Sequence, residues 1–149
     1  MKTVRVERTL KAPIERAFDL LTDHANYKQF RAVDDSKLVR IGNGERNGVG
    51  AIRWVRINLL RFEEEITEFD RPTRMSYFIR KVNLPFEHGG GTIELSPAGE
   101  GTRAVWTSTF RVPIPVLGGA VERAVWVPAL SRGFRRVLED VDRLSSAGA

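Results

Sequence analysis

The residues best suited to chemistry in this chain are those whose charge is out of place. In residues 60–67, Leu60, Phe62 and Ile66 alternate with Arg61, Glu63, Glu65 and Thr67. The period of two puts Glu64 on the apolar face of a strand and turns its neighbours Glu63 and Glu65 to solvent. A buried carboxylate without a partner is costly and tends to take up a proton. Residues 51–57 offer a partner but are apolar on both faces, one giving Ile52, Trp54 and Arg56, the other Ala51, Arg53, Val55 and Ile57. Either choice turns one arginine inward beside Glu64, and Arg8 in the first strand is a third candidate. Such a pair could orient a ligand carbonyl or hydroxyl, or supply acid–base chemistry for enolisation and cyclisation, with Glu64 and Tyr77 as the catalytic candidates. It could also be a buried ion pair with a purely structural role.

The second candidate is the stretch PFEHGGGTIEL, residues 85–95, where His88 precedes three glycines. A histidine–glycine run of this kind suits an oxyanion loop, but acyl transfer of that type also needs a Gly-x-Ser-x-Gly nucleophile elbow between a strand and a helix. The serines lie in DDSKL, RMSYF, ELSPA, WTSTF, ALSRG and LSSAG, and none fits. GNGERNG at 42–48 lacks the last glycine of a dinucleotide fingerprint and precedes a strand, not a helix. With two histidines far apart and no cysteine, no metal site is expected, and no cofactor motif is present. His88 is therefore expected in an exposed turn at the foot of a hairpin, and His24 on the surface near a helix cap.

Composition narrows the classes further. The chain has 149 residues, 24 Lys and Arg against 19 Asp and Glu, and 42% hydrophobic residues, consistent with one domain spanning 1–149. Basic and acidic residues alternate without a basic run or an aromatic–arginine stripe, which argues against nucleic acid as a partner. No apolar run reaches the roughly 18 residues needed to span a bilayer, so no stable membrane insertion is expected. MKTVRVERTL has no signal-peptide core, and the default compartment is the cytoplasm.

Positioning these residues requires a sheet. Val4, Val6 and Leu10 alternate with charged residues in a first strand. Pro13 opens a helix carrying Ile14, Ala17, Phe18 and Leu21 inward, and a second short helix after Asp23 carries Tyr27 and Phe30. Strands are predicted near 36–42, 50–57, 60–69, 74–82, 91–96 and 102–111, separated by turn signals and too closely linked to be anything but antiparallel. Leu130, Phe134, Val137, Val141 and Leu144 then form the seam of a long C-terminal helix that starts or kinks at Pro128. Residues 118–127 form a separate turn or short helix.

Three stretches, APIERAFDLLTDHANYKQF, EEEITEFDRPTRMSYFI and GGGTIELSPAGEGTRAVWTSTFRV, resemble the SRPBCC superfamily, also described as START or polyketide cyclase-dehydrase-like. The resemblance implies an α+β helix-grip fold: a curved antiparallel sheet of about seven strands around a long C-terminal helix, with two short helices between strands 1 and 2. It also implies a cavity for an apolar ligand, with loops that act as gates, but no universal catalytic set. The links near 58–60, 83–90 and 112–119 fall at one end of the meander and are greasy, with Leu59, Leu84, Phe86, Ile114, Val116 and Leu117. Those near 42–48, 70–73 and 97–101 fall at the other end and are polar. The greasy end is expected to be the mouth of the cavity.

Strand and helix parity name the candidate ligand-binding residues. From the sheet come Trp54, Phe62, Glu64, Tyr77, Trp106, Ser108 and Phe110, from the rim Phe86 and His88, and from the helical segment Trp126 and Phe134. The functional expectation is binding, transport or sequestration of a hydrophobic, lipid- or polyketide-like small molecule. The alternative is a polyketide aromatase/cyclase-type enzyme using polar residues in the same cavity. A third class is an interaction module whose rim docks a partner, a homodimer included.

Overall fold

The computed structural model describes residues 1–147. The chain runs β1 (Lys2–Leu10), α1 (Ile14–Leu21), a 3-10 helix (His24–Gln29), β2 (Asp35–Arg40), β3 (Ile52–Ile57), β4 (Leu60–Asp70), β5 (Arg74–Val82), β6 (Glu87–Ala98), β7 (Gly101–Arg111), α2 (Gly118–Val121), a π-turn (Glu122–Trp126) and α3 (Val127–Ala147). The strands form one antiparallel sheet in the order β1-β7-β6-β5-β4-β3-β2. Short links make every consecutive pair from β2 to β7 a neighbour, and only β1 crosses to the far edge, beside β7. The result is the helix-grip fold, with α3 held in the curve of the sheet.

Parity explains which residues reach the core. Val4, Val6 and Leu10 of β1 are buried, as are Ala17, Phe18 and Leu21 of α1, while Arg8 is exposed. The C-terminal half of α3 buries Val137, Leu138 and Val141 against β1 and α1. Two aspartates fix it there. Asp142 accepts hydrogen bonds from the Lys11 and Ala12 N–H groups at 3.0–3.1 Å. Buried Asp140 takes the Arg31 N–H at 2.7 Å and Arg31 Nε at 2.6 Å.

Two local expectations need correction. β6 begins at Glu87, not near residue 91, so His88 and the glycines belong to a strand and not to a turn. His88 faces Phe110 across the β6–β7 ladder, and a bulge at Gly90, where φ is +117°, lets the strand continue. Gly91 serves packing, since a Cβ there would collide with the Tyr77 ring. The regular helix α3 does begin one residue before Pro128, but the residues ahead of it are already helical. There Val127 N–H bonds to Glu122 C=O, five residues back, and this wide turn accommodates a proline ring that a tight turn would exclude.

The two ends of the sheet differ as expected in polarity. At the polar end Arg71 pairs with both Asp19 and Glu45 and lies over the Phe18 and Phe69 rings. At the other end Val116 is 99% exposed and Leu59 86%, and Leu84, Ile114 and Leu117 are also exposed. Only Phe86 turns inward, stacking on Phe110 with ring centroids 5.4 Å apart.

Candidate functional site

Because α3 lies mainly over β1, it leaves a gap above β3, β4 and β5. The gap is a cavity of about 210 Å³. Its helical wall is Trp126, Ala129, Leu130, Gly133, Phe134 and Val137, and its sheet wall includes Val55, Ile57, Leu60, Phe62, Ile79 and Val82. Tyr27, Ala32 and Val33 close the third side. The Trp106 and Phe134 rings stack in parallel at 4.1 Å, joining sheet to helix at the floor. Phe86 and Trp126, with centroids 4.8 Å apart, flank the entrance end. The exposed loop tips Leu59, Leu84 and Val116 are not part of the lining, so the walls begin one step inside the rim.

Four residues bring polar oxygens to this apolar space: Tyr27, Glu64, Tyr77 and Ser108. Glu64 stands opposite Arg53 in the β3–β4 ladder, which resolves the choice among arginines in favour of Arg53. Both residues are buried. Arg53 directs Nε, at 2.9 Å, and Nη2 to one oxygen, Glu64 Oε2. Its guanidinium lies 3.8 Å from the Tyr27 ring centroid. Burial works against the Arg53 charge, but the Glu64 carboxylate outweighs it and holds the guanidinium above its ordinary range. Burial likewise pushes the Tyr27 hydroxyl up to about 12, and that hydroxyl has no hydrogen-bond partner among the described residues.

His24 completes this cluster from below. It is fully buried, with Nε2 donating to the Asn47 carbonyl at 2.9 Å and Nδ1 facing Arg53 Nη1 at 3.4 Å. Burial, and then the Arg53 charge, lower its pKa to about 3, so the ring is neutral. The expectation of a surface histidine was wrong, and besides the distant Asn47 partner local spacing contributes. In a 3-10 helix residues three apart share a face, so His24 follows Tyr27 and Phe30 into the core.

A second polar chain reaches the floor from β6. His88 Nδ1 accepts the Ile79 N–H at 3.0 Å, which leaves the proton on Nε2 to donate to Ser108 Oγ at 2.8 Å. The Tyr77 hydroxyl takes a hydrogen bond from Trp106 Nε1 at 2.8 Å and has the Ser108 hydroxyl as a second donor neighbour. His88 is buried against the Tyr77 and Phe86 rings, and burial lowers its pKa to about 4. The same burial, with Glu64 nearby, raises the Tyr77 hydroxyl far above its ordinary value. His88 is therefore neither exposed nor at the mouth. It lies behind the floor.

Of the residues expected at the site, Phe62, Glu64, Tyr77, Phe86, Trp106, Ser108, Trp126 and Phe134 line the cavity. His88 and Phe110 support it from behind. Trp54 does not belong to it: with Arg53 inward, Trp54 points to the opposite face, where the Lys37 ammonium lies 5.2 Å from its ring.

Comparison with known proteins agrees with this architecture. The family profile described as polyketide cyclase / dehydrase and lipid transport matches residues 1–145. The chain belongs to that family. The chain is also similar to several solved structures. TTHA0849 from Thermus thermophilus is 26% identical, with a TM-score of 0.81 over 99% of each chain. A START superfamily protein from Mycobacterium smegmatis is 14% identical, with a TM-score of 0.78 over 95% of this chain and 98% of that one. Ara h 8.0201 is 20% identical, with a TM-score of 0.68 over 94% and 97%. No curated protein matches the chain. At these identities the second and third likenesses concern the fold alone, so the site has to be argued from its own geometry.

Proposed function

We propose that this family member is a single ligand-binding domain that takes up a hydrophobic small molecule, lipid- or polyketide-like, between the sheet and α3 and carries or sequesters it. One observation supports this above the others. The cavity is walled by aliphatic and aromatic side chains, with oxygens only from Tyr27, Glu64, Tyr77 and Ser108, so what fills it gains mainly by leaving water. Native mass spectrometry of the purified protein should show a bound apolar molecule, released and identified on denaturation. The neutral fluorophore N-phenyl-1-naphthylamine should bind with one-to-one saturation. Protein that stays free of adducts and gives no saturable fluorescence would contradict the reading.

A cyclase-type enzyme is the second reading, favoured because a carboxylate, Glu64, and a hydroxyl, Tyr77, line the same cavity from neighbouring strands. Turnover of a poly-β-keto substrate that disappears in Glu64→Gln while binding persists would establish it. Binding without turnover would leave the carrier reading alone.

A further inference from the structure

We infer that the cavity floor selects apolar molecules bearing a neutral hydroxyl, a phenol or an alcohol, over the same molecules bearing a carboxylate or an ether. This rests on the binding role proposed above and adds the chemical class of the ligand's polar end.

The acceptor comes first. Both Arg53 bonds go to Glu64 Oε2, and Oε1 has no donor among the described residues. Arg53 cannot easily turn to serve it. Its guanidinium lies on the Tyr27 ring and against His24, which the Asn47 carbonyl fixes in turn. Glu64 lines the cavity, so Oε1 is a carboxylate oxygen kept for a donor from outside the protein.

The donors are two tyrosine hydroxyls. Tyr27, which also lines the cavity, has no partner for its hydroxyl among the described residues. The Tyr77 oxygen already accepts from Trp106 Nε1, and no acceptor among the described residues takes the Tyr77 proton. The neighbouring Ser108 oxygen accepts the His88 Nε2 proton, an arrangement set by the backbone N–H of Ile79, and the Ser108 hydroxyl is in turn a donor toward Tyr77. The chain of bonds therefore runs from the backbone through His88 toward the floor and leaves Tyr77 to donate into the cavity.

One open carboxylate oxygen facing tyrosine donors matches a hydroxyl, which gives a proton to Oε1 and accepts one from Tyr77 or Tyr27. An ether can only accept, leaving Oε1 unpaired. A carboxylate brings lone pairs and charge against Oε1. Because Arg53 and Glu64 neutralise each other, the floor has no spare cation among the described residues to hold an anion, and an apolar cavity penalises the uncompensated charge.

The test is a matched series: 2-naphthol, 2-methoxynaphthalene and 2-naphthoate at pH 7, each displacing N-phenyl-1-naphthylamine from the wild-type protein. The expected order is naphthol, then the ether, weaker by roughly 10-fold or more, then naphthoate, since a hydrogen bond to a charged acceptor has that magnitude. Tyr77→Phe should weaken naphthol and the ether alike, since both accept its proton, and leave their ratio close to that of the wild type. The Arg53→Leu/Glu64→Leu pair, which replaces an ion pair by apolar volume and so spares the fold, should bind naphthol and the ether within about twofold. If the wild type binds naphthol and the ether equally, or prefers naphthoate, while the fluorophore still binds, the selectivity is wrong and the cavity reading survives. If neither the series nor the fluorophore binds, the cavity reading itself falls.

Discussion

The two halves of α3 carry the same apolar periodicity and meet opposite surroundings. In the C-terminal half Leu138 and Val141 are fully buried, and Asp140 and Asp142 tie the helix to Arg31, Lys11 and Ala12. In the N-terminal half Leu130 and Phe134 are only half-buried and look into the cavity. No side chain from Arg123 to Glu139 makes a hydrogen bond to the rest of the protein among the described residues. One half holds the fold and the other forms the site. An amphipathic stripe thus shows that a helix face is apolar, but not whether that face is filled.

Several experiments would sharpen or break this contrast. The largest effect should come from Arg53→Leu alone, which strands Glu64 in the apolar floor and should cost about 3–5 kcal/mol by urea denaturation, whereas the Arg53→Leu/Glu64→Leu pair should be near neutral. Equal losses in both variants would show that the pair is not the rigid part of the open half. Next, Leu138→Ala should cost about 2–5 kcal/mol, and Leu130→Ala, facing a void with fewer contacts to lose, roughly 1 kcal/mol or less. Similar losses at both positions would erase the distinction between the halves.

Acid should act on the site's histidines in a definite direction. In the unfolded chain both take a proton near pH 6.5, but in the folded protein only at about 3 for His24 and about 4 for His88. Below pH 6.5 the unfolded state therefore binds more protons. Their contribution is fully present above pH 6.5 and is lost as pH falls toward about 4, by about 1.4 kcal/mol per pH unit for each ring. Denaturation midpoints that do not change between pH 6.5 and 4.5 would contradict the buried, neutral assignment of both. The smallest effect is local: amides of Val127–Phe134 should exchange faster than those of Val137–Leu144, and N-phenyl-1-naphthylamine should slow the first group only.

Much of this was legible in the residues. Alternation in 60–67 placed Glu64 inside, and the seam 130–144 placed α3, because both patterns have one apolar face. Strand 51–57 has two, so Arg53 and Trp54 could be assigned only from the ladder that sets Arg53 opposite Glu64. The two histidines were misplaced for a shared reason. Each is polar and flanked by turn-forming residues, and what draws it inward is a distant partner, Asn47 for His24 and Ile79 and Ser108 for His88. Gly91 reads as part of a turn because the Tyr77 ring that needs its space lies on another strand.

Gly133 offers the most direct test of the central claim. It lies on the cavity wall with open space where a side chain would begin, so Gly133→Leu should fill the cavity, and it also replaces a poor helix former by a good one. Titration of N-phenyl-1-naphthylamine into both proteins, with their thermal midpoints measured alongside, should show saturable binding to the wild type. In Gly133→Leu binding should be weaker by at least about 10-fold, and the midpoint equal or higher. Undiminished binding to a folded Gly133→Leu would show that the fluorophore sits elsewhere and that the cavity is not the site.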